Sequence, residues 1–225
     1  MGIFPDFIFI AALLISFALV PFMAVLVTSY TKIVIVLGLL RMAIGTQQTP
    51  PNLVVNGIAI VMSLFIMAPI ALKAQEVIEK QVTTGSARGE KPAPTFQDFL
   101  KARDAILPPL REFLKKNTRE RELQFFLKTA STLWPPEMAQ KASADDLLIL
   151  IPSFTISELS EAFMIGFVIY LVFVVVDLVV ATVLLSMGMA MISPTTISIP
   201  FKLLLFVALD GWSRLLQGLV ISYAK

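Results

Sequence analysis

Met187, Gly188, Met189 and Met191, followed by Pro194 and Pro200, form the most distinctive chemical grouping in this chain. Thioethers are neither acids nor bases, but they are soft and polarizable, and they can mould themselves around an irregular object. The stretch lies between two strongly apolar runs, residues 162–185 and 197–209. Gly188, Pro194 and Pro200 predict a broken segment, because proline removes a backbone donor and clashes with the preceding turn. Broken backbone near a membrane must be satisfied by protein or by a water-filled cavity. The methionines are therefore either filler in an apolar segment or a constriction that deforms around something passing through.

Among the charges in or beside apolar sequence are Arg41, Glu158, Asp177, Lys202 and Asp210. A carboxylate such as Asp177 facing lipid at the centre of a helix costs about 2.5–3.5 kcal/mol, so it is expected to face protein or water and to pair. Lys202 and Arg41 are its candidate partners. A structural ion pair that fixes helix register, an intersubunit contact and a proton or ion relay all remain open. Lys202 could instead anchor at the interface by snorkelling. Asp210-Gly211-Trp212 sets a carboxylate, a small residue and an amphipathic ring together, as in a packing notch with an interfacial tryptophan.

The same inventory argues against an enzyme. The chain has no cysteine and no histidine, which removes thiolate chemistry, imidazole bases and the usual zinc sites. No phosphate-binding glycine loop is present. A net charge of +2 gives no sign of nucleic-acid binding. No cofactor is expected.

The elements that must position these residues follow from composition. Of 225 residues 57% are hydrophobic and only 15% are charged, too little polar surface for a soluble fold. Thirteen of 18 Lys and Arg and 11 of 16 Asp and Glu fall within residues 73–146. The expected fold is an all-α integral membrane protein of broken hydrophobic helical hairpins: N-terminal membrane helices over 1–72, a small soluble helical insert over 73–146, and C-terminal membrane helices over 147–225. Residues 7–27 read as a retained membrane helix interrupted at Pro21, and 53–72 as a second span ending near Pro69. The apolar run 33–40 is too short to cross and is expected to be buried or interfacial, with 45–51 as a loop. In the insert, 83–94 reads as a linker. One helical face is expected to stop at Pro108-Pro109, and a second helix to start from Asn117 or Thr118 and end before Trp134-Pro-Pro136. A break is expected at Pro152, with Thr155-x-x-Glu158 as a capping box opening the next helix. The last apolar region covers 197–223. Lys32 and Arg41, the basic residues of the first short connection, place it in the cytoplasm and the insert on the periplasmic side.

Several stretches together resemble the FliP/SctR family. They are residues 28–37 with Leu40-Arg41, Pro51-Asn52, residues 154–159, Ala162-Phe163 with residues 165–167, Asp177-Leu-Val-Val-Ala181, residues 186–191, Ser193-Pro194, residues 197–203, and Asp210-Gly211-Trp212. They cover most of both apolar halves, in order; the insert carries no clear signature. The resemblance implies a multi-pass bacterial inner-membrane protein that assembles into a helical oligomeric gate for type III secretion. Five copies would join S-type and T-type subunits and other inner-membrane export components, and unfolded secreted proteins would pass through. The short N-terminus, with no positive charge before its apolar run, favours an injectisome member. The family's Gly-Met-Met-Met motif acts as a pore gasket; it maps to Gly188, Met189, Ala190 and Met191, so Ala190 departs from it, and Met187 is a candidate to fill the gap. The alternative reading is a small-molecule or ion transporter or channel that uses Asp177 and Lys202 as coupling groups.

Overall fold

In a computed structural model, the structure describes residues 21–46, 49–83, 96–189 and 191–224, with Ala11, Leu14, Ile15 and Ala18. Ten of the 21 residues of the first expected span, residues 84–94 of the expected linker and Ala190 lie outside the described residues. Among the described residues the chain is helical without strands. The elements are α1 (Pro21–Val27), α2 (Tyr30–Ile44), α3 (Asn52–Thr83), α4 (Phe96–Asn117), α5 (Glu120–Leu133), α6 (Pro136–Ala139), α7 (Leu147–Ser186), α8 (Pro194–Ala208) and α9 (Gly211–Ile221).

The short helix α2 is the post around which the rest is arranged. Its Ile33, Val36 and Leu37 pack with Val55 and Ala59 of α3, Ala162 of α7 and Leu219 of α9. Its Leu40, Ala43 and Ile44 pack with Phe173 of α7 and Phe206 of α8. Each large apolar side chain buried this way stabilises the fold by about 1.5–3 kcal/mol. An eight-residue apolar run thus finds its place by burial among longer helices. A third core joins the insert to the foot of α7: Leu114, Leu123 and Ala130 pack with Val27, Ile149, Leu150 and Phe154. The insert therefore rests on the chain's own long helix.

Prolines end fewer helices than their positions predict. Pro69 lies inside α3, Pro108 and Pro109 inside α4, and Pro152 inside α7. Proline's fixed φ is compatible with a helix, and each ring deletes one helical bond at a cost of roughly 3 kcal/mol. Two or three well-buried neighbours, such as Leu114 after Pro109 or Phe154 after Pro152, offset that. The expected capping box does not form either. The Thr155 hydroxyl donates to the Ile151 carbonyl inside the helix at 2.8 Å, and Glu158 faces the buried charge cluster described below. Thr118 closes α4 by donating to Leu114 at 2.7 Å, so α5 begins later, after Arg119. The region 197–223 is a bent pair, α8 and α9, at 62°. The break falls at Asp210, in the left-handed region at φ 52°, where a non-glycine residue is under strain.

Among the described residues, two helices, 52–73 within α3 and α7, are long and apolar enough to cross a membrane, or up to four spans if the bent pairs α1–α2 and α8–α9 are each counted as one. Phe163, Phe167, Leu171, Val175 and Leu178 of α7 are all exposed, an apolar surface that needs lipid or protein against it.

Where α7 crosses α2, Gly166 lets the helices approach. A methyl group there would overlap Leu39, whose own Cβ would stand 2.9 Å away. Gly166→Ala is expected to destabilise the fold by about 1–3 kcal/mol through overpacking, read as a lowered thermal-unfolding midpoint. An unchanged midpoint would mean that the α2–α7 contact has slack.

Candidate functional site

The methionine turn is built by the way α7 ends. Gly188 adopts φ 76°; its N–H donates to the Leu185 carbonyl at 3.1 Å, and the Met189 N–H donates to Leu184 at 2.9 Å. This paired 5→2 and 6→1 arrangement caps the helix with a left-handed residue that glycine supplies without a Cβ penalty. Pro194 then occupies the first turn of α8 after Ser193, where its missing N–H costs nothing. The reversal leaves Met187, Met189 and Met191 all exposed, Met191 at 99%. Pro200, expected to break the segment, lies inside α8 instead. It deletes the single bond to the Thr196 carbonyl, and the helix runs on to Ala208.

Asp177 of α7 and Lys202 of α8 meet within the helices. Lys202 Nζ lies 2.7 Å from Asp177 Oδ2 and donates to the Ala43 carbonyl at 3.1 Å. Ser198 donates to Asp177 Oδ1 at 2.5 Å. A cation on a last-turn carbonyl is favoured by the α2 dipole, so one ammonium ties α2, α7 and α8 together. Arg41, the other candidate partner, turns away and donates to Asn52 Oδ1 at 2.5 Å and to the Pro50 carbonyl at 3.3 Å, closing the α2–α3 loop. Asp210 is exposed at the α8–α9 break, with Trp212 edge-on to Phe206 at 5.4 Å.

Asp177→Ala would leave Lys202 buried without its carboxylate. The expected loss is toward or below the lower end of the roughly 3–5 kcal/mol typical of a broken buried pair, because Asp177 is 31% exposed. Asp177→Asn, which keeps the Ser198 bond, is expected to lose less. Thermal unfolding of the two variants side by side checks this order; equal loss would mean that the charge alone matters.

The most buried charges sit elsewhere. Lys32 and Glu158, each 1% exposed, pair at 3.0 Å, and Lys32 also meets Glu161 at 2.8 Å. The Arg119 Nε is 3.6 Å from Glu161, and the Arg119 backbone N–H donates to Ser157 Oγ at 3.0 Å. The Tyr223 hydroxyl donates to Glu158, and its ring lies 4.1 Å from Lys32 Nζ. Two cations and two carboxylates thus balance at the meeting point of α2, α7, the α4–α5 junction and the C-terminal segment. Lys32 is consumed in this cluster, so it is not a solvated loop charge of the kind that sets membrane orientation. Glu161, Arg119 and Tyr223 were not singled out from sequence. A signal existed: Glu158 and Glu161, three apart in an apolar helix, must share one face, and a lone lysine in an apolar run needs a carboxylate.

Comparison with known proteins supplies the family. The family model described as "FliP family" matches residues 13–219. The chain belongs to the FliP family. Its relatives include a "Pathogenicity-related ORF2" from Xanthomonas campestris pv. glycines, 52% identical over 93% of each chain. The "Hypersensitivity response secretion protein HrcR" of Ralstonia nicotianae is 48% identical, over 97% of this chain and 98% of the relative. The "Yop proteins translocation protein R" of Yersinia pestis is 46% identical over 97% of each. Within this FliP-family chain the methionine turn and both ion clusters lie inside the matched span, except Tyr223, which follows it.

Proposed function

We propose that this chain is a non-enzymatic subunit of the export gate of a bacterial type III secretion system, of the injectisome kind, in the inner membrane. The observation that carries the reading is near-full-length identity of 46–48% to proteins named for secretion and translocation. Five copies, joined by S-type and T-type subunits and other inner-membrane export components, would form a pore for unfolded secreted proteins. Met187, Met189 and Met191 would line its gasket. Their exposure on a tight turn supports this, since an apolar thioether presented to solvent by a single chain is available to an assembly. The exposed apolar belt of α7 supports burial against lipid or neighbouring subunits. Energy would come from other components, because the sequence offers no nucleotide site.

The transporter reading relies on Asp177 and Lys202 as mobile coupling groups. Nothing in their geometry favours it: they neutralise each other at 2.7 Å and are held by Ser198 and Ala43. Native mass spectrometry of the chain co-expressed with its neighbouring membrane genes tests the proposal. Five copies bound with S-type and T-type subunits are expected; a stable monomer or dimer without them would overturn it.

A further inference from the structure

Thioethers can be oxidised as well as packed, and the turn after α7 presents them openly. Among the described residues Met191 is 99% exposed, against 67% for Met42, the next most exposed methionine. Met187 and Met189 are exposed in the same five-residue stretch. The space around the turn is open: a Cβ built on Gly188 would meet no atom within 4 Å. Backbone bonds hold the turn in shape. The N–H groups of Met187, Gly188 and Met189 donate to the carbonyls of Val183, Leu185 and Leu184, and that of Ile192 donates to Met189. None of these bonds uses a sulfur, so the thioethers can change chemically while the backbone stays in place. Other exposed methionines differ in setting. Met164 lies in the exposed apolar belt of α7 with Phe163 and Phe167, where lipid or detergent keeps an aqueous oxidant away. Met42 and Met138 stand singly in α2 and α6.

We propose that Met191, followed by Met187 and Met189, is a reversible oxidation site that makes export sensitive to peroxide. Hydrogen peroxide is the oxidant: its O–O bond breaks, an S–O bond forms at Sδ, the sulfur gives up two electrons, and water leaves. A methionine sulfoxide reductase restores the thioether; two thiols become one disulfide, and the oxygen leaves as water. The sulfoxide is polar and chiral where the thioether is apolar and flexible. On a turn that touches little of its own chain, that change costs the fold almost nothing. In a ring of copies it would hold water where thioethers close against one another. This consequence for export rests on the export-gate reading; the oxidation itself does not.

The test treats the full chain in detergent with limiting hydrogen peroxide and locates the added oxygen by peptide mapping in a mass spectrometer. Met191 is expected to oxidise about twofold faster than Met42 or Met138, and faster still than Met164. Reductases for both sulfoxide epimers are expected to remove the oxygen, and the thermal-unfolding midpoint is expected to hold while only the turn is modified. Met42 or Met138 oxidised as fast as Met191 would overturn the proposal. So would a midpoint that falls as the turn is oxidised, or a sulfoxide that the reductases leave in place. In cells, secretion after a peroxide pulse is compared for the wild type and Met191→Leu, each against its own untreated level. The wild type is expected to lose about twice the fraction that Met191→Leu loses, since leucine has no sulfur to oxidise. Equal fractional losses would overturn the link to export. Absence of the assembled complex from untreated cells would count against the gate reading alone, because the peptide map is read on the isolated chain.

Discussion

Lys32→Met is expected to be the most destabilising single replacement in the chain, with a loss of about 3–5 kcal/mol. The ammonium lies between Glu158 and Glu161 and beneath the Tyr223 ring, and both Lys32 and Glu158 are all but sealed from solvent. Methionine preserves most of the side-chain volume, so the loss would report charge and not a cavity. Arg119 reaches Glu161 but not Glu158, which leaves Glu158 buried with only the Tyr223 hydroxyl. Lys32→Met with Glu158→Gln removes one charge of each sign, and the double variant should regain a large part of the lost stability. Thermal unfolding of detergent-solubilised protein, wild type against single and double variants, is the measurement. Additive losses in the double variant would show that Lys32 is held by packing alone and that the pair is not coupled.

How far the sequence leads can be seen residue by residue. That 33–40 must be buried or interfacial was legible because eight apolar residues bounded by charges cannot cross a bilayer; the structure decides for burial, with Ile33, Val36, Leu37 and Leu40 almost fully covered. The turn after Ser186 was legible for a local reason: glycine at 188 and proline at 194 act on backbone within a residue or two. The prolines at 69, 108, 109, 152 and 200 misled because their cost is also local, whereas the burial that outweighs it comes from distant helices. Thr155 and Glu158 have the spacing of a capping box, but Ile149, Leu150 and Phe154 pack into the insert core and carry the helix straight through. The pairing of Asp177 with Lys202 over Arg41 rests on tertiary geometry, as does the gathering of Lys32, Glu158, Glu161 and Tyr223. Sequence could say that each charge needed a partner, but not which one.

Aspartate at Met189 or Met191 is expected to reduce secretion at least tenfold while leaving assembly and folding intact. Surface replacements away from packed features usually change stability by no more than about 0.5 kcal/mol. Met191 touches almost nothing within its own chain and Met189 is exposed, so aspartate at either position should fold. In a ring of copies the same replacement places several carboxylates around one axis. They would be hydrated and mutually repelling where thioethers would close against one another and yield to passing side chains. Met187 serves as comparison: it closes the last turn of α7 through its N–H to Val183 at 3.0 Å, so it too keeps its backbone role whatever the side chain. Secretion into the medium, measured alongside the amount of intact complex on native gels, separates the two effects. Wild-type secretion from Met189→Asp, Met191→Asp and the double variant would dispose of the gasket. Lost secretion with lost complex would instead assign the turn to assembly. Intact complex with failed secretion is the result that a deformable methionine seal requires.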